Sequence, residues 1–171
     1  MPRNPGLLGR RIHSVQYWTI PPLATEISTS PGAAYHDAPF GVSLWTDDGA
    51  RCFSWRIDDV AERLTFDPPW TANPNQRSYS VAVADDAWLA AGLLGEGVTD
   101  LELWGYPADG VGDYLAEVVL RVADRTVCVA LASPQDADRV KPAGDNLCVI
   151  FNDEVLARLR DDCGQNLRKL A

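Results

Sequence analysis

The stretch YLAEVVLRVADRTVCVALA (114–132) decides the fold. Two runs rich in β-branched and aliphatic residues, Tyr114 to Ala123 and Thr126 to Ala132, flank a turn at Asp124-Arg125. The pattern is that of a β-hairpin. Both runs are apolar at most positions rather than at alternate ones, so both faces are covered and the pair sits centrally in a sheet.

The segments flanking this hairpin repeat the pattern. Val98 to Tyr106 reads as a strand, with a turn region at Pro107 to Gly112. Gly41 to Thr46 and Ala50 to Arg56 form a second hairpin across Asp47-Asp48-Gly49, where glycine accepts the positive φ the turn needs. Arg10 to Trp18, Tyr79 to Val83 and Leu147 to Phe151 are further strands. Leu23 to Pro39 and Ser133 to Asp145 are polar, proline-bearing stretches and read as loops.

Three short helices fit between the strands. Asp59 and Glu62 have capping-box spacing for a helix over Asp59 to Leu64, stopped by Asp67-Pro68-Pro69. Asp85 is placed to cap a helix over Asp86 to Leu94, ended by Gly95 and Gly97. Asn152 caps a helix from Asp153 to Asp162 with Val155, Leu156 and Leu159 inward. Asp161 and Asp162 oppose the dipole at its C-terminal end, which calls for fraying near Gly164 or for a basic partner. The expected class is α+β: a mainly antiparallel sheet built from hairpins, with two or three short helices packed on one face. Hairpins outnumber crossovers, which argues against a doubly wound parallel sheet.

At 171 residues the chain makes a single globular domain over 1–171 with a core that needs no staple. Two stretches align without gaps: Asp58 to Leu64 with Asp153 to Leu159, and Val42, Leu44, Asp48 and Cys52 with Val118, Leu120, Asp124 and Cys128. Such matches fit a weak internal duplication, although apolar and Asp-rich patterns repeat easily by chance.

The formal net charge is −9. A surface this acidic repels phosphate, which argues against nucleic acid and against anionic membranes, and it attracts a basic protein. No apolar run reaches the length of a membrane span and Met1 to Arg11 lacks a leader's apolar region, so the expected compartment is the cytoplasm. Four scattered cysteines without a CxxC spacing fit reduced, buried thiols there.

No recognisable catalytic, metal or cofactor signature is present, and no cofactor is expected. The two histidines, His13 and His36, lack metal spacing. His36 followed by Asp37 is the one His–carboxylate neighbour pair that could supply a general base, with His13 the other candidate. Glu102, Glu117 and nearby tryptophans could line a pocket around such a base. Cys163, beside acidic neighbours, is a poor nucleophile. The glycine clusters at 92–97 and 105–112 lack a P-loop lysine and read as turns. The acidic pairs Asp47-Asp48 and Asp85-Asp86 and the tryptophan Trp70, in its proline-rich loop, are the expected binding residues.

Two functional classes follow. One is an acidic protein-binding module that docks a basic partner. In size, acidity and lack of a catalytic set the chain resembles bacterial inhibitor and immunity proteins. The other is a small cofactor-independent enzyme, a lyase, isomerase or hydrolase, working through a His–carboxylate pair in an aromatic-lined pocket.

Overall fold

The computed structural model describes residues 5–57, 62–107 and 113–170. Eleven strands are described: β1 (Ile12–Thr19), β2 (Tyr35–Asp37), β3 (Gly41–Thr46), β4 (Gly49–Ile57), β5 (Glu62–Thr65), β6 (Ser80–Val83), β7 (Val98–Tyr106), β8 (Tyr114–Val122), β9 (Arg125–Asp136), β10 (Arg139–Ile150) and β11 (Arg168–Lys169). Three helices accompany them: α1 (Pro69–Ala72), α2 (Asp85–Ala90) and α3 (Asp153–Cys163). The class is α+β, predominantly antiparallel and built from hairpins, as the sequence indicates.

The strands divide into two sheets. One has the order β5-β4-β3-β1-β6, the other β11-β7-β8-β9-β10-β2, and every pairing is antiparallel. The period of two along each strand separates inner from outer residues. Val15, Tyr17, Val42, Leu44 and Phe53 of the first sheet meet Leu103, Val118, Leu120, Val127, Val129 and Val149 of the second in one main core. The outer face of the six-stranded sheet carries Val119, Cys128, Ala130, Cys148 and Ile150, covered by Val155, Leu156 and Leu159 of α3. That second burial explains why 114–132 is apolar on both sides.

Asn152 caps α3 as its sequence position implies, its Oδ1 accepting from the N–H groups of Glu154 at 2.8 Å and Val155 at 3.2 Å. Gly164 closes the helix with φ 72°, and Arg139 supplies the cation that Asp162 calls for, at 3.3 Å. Trp88 of α2 is fully buried in the main core.

Several segments differ from the sequence reading. Glu62 to Leu64 is strand β5 rather than helix, while residues 58–61 of that expected helix lie outside the described residues. Leu64 packs into the main core beside Trp55, so tertiary pairing overrides the capping-box pattern. Ser133 to Asp145 is not a loop. It is the far arm of the β9–β10 hairpin, carried past its prolines by register shifts. The Leu23 to Pro39 loop contains β2, which pairs with β10. Helix α2 ends at Ala90, and Ala84 rather than Asp85 occupies its capping position. The β8–β9 turn falls on Ala123 and Asp124, with Ala123 at φ 52°.

The duplication is split by the structure. The β3–β4 and β8–β9 hairpins do match in facing, since Val42, Leu44, Val118 and Leu120 all point into the main core. The downstream stretches do not match: the described part of one is strand β5 and the other is α3.

Candidate functional site

The six-stranded sheet buries its outer face under α3, but the five-stranded sheet leaves much of its outer face open. Residues of outward parity there are Gln16 and Trp18 on β1, Ser43 and Trp45 on β3, and Val81 and Val83 on β6. Gln16 pairs with Val83, Trp18 with Val81, and Gln16 with Ser43. The indole N–H of Trp45 donates to Gln16 Oε1 at 3.3 Å, and that of Trp18 to Ser43 Oγ at 2.8 Å. Trp70, at the start of α1, meets Trp18 edge-on with ring centres 5.4 Å apart. Pro69 lies directly over Gly41, where a Cβ would come within 2.7 Å of the proline ring, so glycine at 41 lets α1 seat. The result is a face on which Val83, Val81, Trp18 and Trp70 follow one another and Trp45 stands across Gln16 from Val83. Trp45, Trp70 and Val81 are each 45% exposed and Val83 is 59% exposed. Large apolar side chains exposed together on one face mark an interaction surface far better than scattered exposed residues do.

The acidic candidates sort into two kinds. Asp48 is held by Arg51 at 3.0 Å and Arg10 at 3.1 Å. Asp85 accepts from Ser14 Oγ and from the Val15 N–H, pinning the start of α2 to β1. Asp47 and Asp86 are exposed and have no ion-pair partner among the described residues. Asp47 follows Thr46, which pairs with Ile12, and Asp85 bonds Ser14, which pairs with Trp45. The sheet therefore gathers all four acids at the end that carries Trp45. Trp70 lies at the opposite end, beside Trp18.

The His36–Asp37 pair is divided by β-strand parity. His36 is fully buried, its Nδ1 accepting from the Tyr17 hydroxyl at 2.8 Å and its Nε2–H donating to the Ser30 carbonyl at 2.9 Å. The indole of Trp88 donates to the same Tyr17 oxygen at 2.8 Å. One tautomer satisfies the whole Trp88–Tyr17–His36–Ser30 chain, and burial pushes the His36 pKa down. His36 lines a cavity of about 300 Å³, together with Ala34, Ala87, Ala90, Phe151 and Asn152. Both ring nitrogens of His36 are committed, so the imidazole has no free lone pair or proton for a substrate. Asp37 accepts from Asn146 Nδ2 at 2.8 Å; burial raises its pKa to about 6 against that hydrogen bond. His13 is exposed on β1, with no hydrogen-bond or ion-pair partner among the described residues.

Glu102, Glu117 and Trp104 do come together on the outer face of the six-stranded sheet, without a histidine. Glu117 is 2% exposed. Arg160 of α3 donates its Nε–H to Glu117 Oε2 at 2.9 Å and stacks over Trp104 at 4.0 Å from the ring centre. Burial raises the Glu117 carboxyl pKa, and Arg160 offsets only part of that rise. Glu102 is held low, chiefly by the Trp104 indole N–H, and also by Lys169 and Arg121. These contacts bind strands to α3 and leave no open approach to the Glu117 carboxylate.

All four cysteines are free, and burial raises each thiol above its ordinary range. Among the described residues no group of three or more His, Cys, Asp or Glu side chains could hold a metal, and no helix is long and apolar enough to cross a membrane. Sequence reasoning missed Trp45, Val81 and Val83 as surface residues. Their shared outward parity was the available signal, but which face stays open depends on where the helices pack. No family model, curated protein or solved structure matches this chain.

Proposed function

We propose that this chain is a protein-binding module that docks a basic partner protein on the outer face of the five-stranded sheet. The observation that carries the reading is the open face carrying Trp45, Val83, Val81, Trp18 and Trp70. Tryptophan supplies large contact area at low entropic cost and is enriched among residues that dominate binding energy. The net charge of −9 and exposed Asp47, which has no ion-pair partner among the described residues, supply the complement to a basic surface and speed encounter. An inhibitor or immunity-type role is one form this binding takes.

The alternative, a small cofactor-independent enzyme using a His–carboxylate pair, draws little support from His36 and Asp37, and exposed His13 is its remaining candidate. The alternative requires a histidine free to exchange a proton beside a carboxylate. His36 is locked between Tyr17 and Ser30, and Asp37 points to the other side of β2.

The test is capture of partners from the source-cell lysate by the tagged chain, in low and high salt, beside Trp45→Ser and Asp47→Lys variants of matching thermal stability. A stoichiometric basic protein that leaves at high salt and fails to bind Trp45→Ser is the expected result. A partner held equally by wild type and both variants would refute this surface. A chain that captures nothing in low salt would refute the binding role.

A further inference from the structure

Four strands form the edges of the two sheets: β5 and β6 in one, β11 and β2 in the other. An open edge offers unpaired N–H and C=O groups to another strand, and proteins commonly blunt such edges with charge, proline or bulges. Strand β5 carries Glu62 and Arg63, β11 is Arg168-Lys169, and β2 carries Asp37. Strand β6 is Ser80-Val81-Ala82-Val83, with no charge, no proline and no register shift.

The Ala84 N–H donates to the Val15 carbonyl at 2.9 Å, in line with the register that pairs Tyr17 with Ala82 and Thr19 with Ser80. Bonded pairs alternate in an antiparallel ladder, so Ala82 and Ser80 turn their backbone groups toward β1. Val81 and Val83 turn theirs outward, to the open edge. The 3-10 turn Pro21–Glu26 approaches β6 without a backbone hydrogen bond to it. Beyond the two ends of β6 lie Arg77 and Asp86, both exposed and without ion-pair partners among the described residues.

From these observations we infer that a second copy of this chain pairs with the first through β6, antiparallel about a two-fold axis. Val81 of each copy lies opposite Val83 of the other, and each such pair exchanges two backbone hydrogen bonds. The antiparallel register brings Arg77 of one copy beside the Asp85-Asp86 end of the other, so opposite charges meet twice. A contact of this kind is isologous and closes on itself. The two five-stranded sheets become one ten-stranded sheet whose outer face carries both sets of tryptophans. The inference rests on the edge and its charges, and stands apart from the identity of any basic partner.

Sedimentation equilibrium of the full chain tests it, run from about 1 to about 300 µM at roughly 0.15 M salt, where the Debye length of about 8 Å screens the repulsion between two acidic copies. The mass of wild type is expected to rise with concentration from 18.7 kDa toward twice that value. Val83→Lys, at an exposed site, places a charge at both symmetric positions and should weaken association about tenfold or more. Val81→Lys on the same edge serves if that variant does not fold. Arg77→Asp and Asp86→Arg should each weaken the dimer, and the two together should restore it. A wild-type chain that stays monomeric, a lysine variant that dimerises like wild type, or a double swap that does not restore the dimer would each overturn the inference. Trp45→Ser, on β3 and away from the edge, should dimerise normally, so failure here and failure of the partner-binding reading are read separately.

Discussion

Replacing Arg160 by alanine tests how the six-stranded sheet and α3 are joined. Glu117 is 2% exposed, its Oε2 is bonded to Arg160, and its Oε1 has no hydrogen-bond partner among the described residues. Removing the guanidinium leaves a buried carboxylate with no counterion, and such a group takes up a proton rather than remain charged. The cost of that proton is bounded by the ordinary carboxyl pKa. From about 4.3 it amounts to about 4 kcal/mol at pH 7.5 and about 1 kcal/mol at pH 5. Loss of the stack on Trp104 adds about 1 kcal/mol at either pH. Against a total stability of about 5–15 kcal/mol, the first figure is a large fraction. The expected result is therefore a pH-dependent loss: severe at pH 7.5 and mild at pH 5. The sign follows from linkage. The folded variant binds a proton that the unfolded chain has released, so its stability falls as pH rises through the interval. Urea unfolding followed by tryptophan fluorescence at the two pH values measures it. The double variant Glu117→Gln with Arg160→Ala should lose the pH-dependent part and keep the mild one. A loss under 1 kcal/mol at pH 7.5, or an equal loss at both pH values, would refute the electrostatic account and leave only packing.

Two further predictions concern single positions. Burial raises the Asp37 pKa to about 6, so the folded state holds its proton more tightly than the unfolded chain and wild-type stability should fall between about pH 4 and pH 6. Asp37→Asn keeps an oxygen to accept from Asn146, and should remove that slope and gain roughly 1–2 kcal/mol at pH 7 by urea unfolding, after allowance for screening at a half-buried site. Ala123 sits at φ 52° in the β8–β9 turn, where a Cβ costs about 1–2 kcal/mol, so Ala123→Gly should raise the melting temperature despite glycine's greater unfolded-state freedom. An unchanged or lowered melting temperature would argue that the turn carries no strain.

What the chain alone determined is local or periodic. The Asp47-Asp48-Gly49 turn fixed one hairpin, and Asn152 fixed the start of α3, because turn and cap chemistry acts within a few residues. The doubly apolar run 114–132 announced a central hairpin, because burial on both faces leaves no polar alternation. The adjacent acids at 47–48 and 85–86 could be named, but not which of each pair has no ion-pair partner among the described residues. That depended on Arg10, Arg51 and Ser14, residues brought near by strand pairing.

Tertiary structure decided the rest. Glu62 to Leu64 had a helix's spacing and became an edge strand because Leu64 reaches the core only by pairing with Trp55. Ser133 to Asp145 had a loop's composition and became a hairpin arm, because the ladder begun at Cys128 continues through a register shift. His36 and Asp37 are neighbours in sequence, yet a strand turns consecutive side chains to opposite faces, so the pair a sequence invites one to read as a dyad is separated. The candidate surface was least visible of all. Trp45, Val81 and Val83 have the same alternation as strand residues that end up covered. Whether an outer face stays open depends on which sheet receives α3, and here the helix follows β10 and lies on the six-stranded sheet.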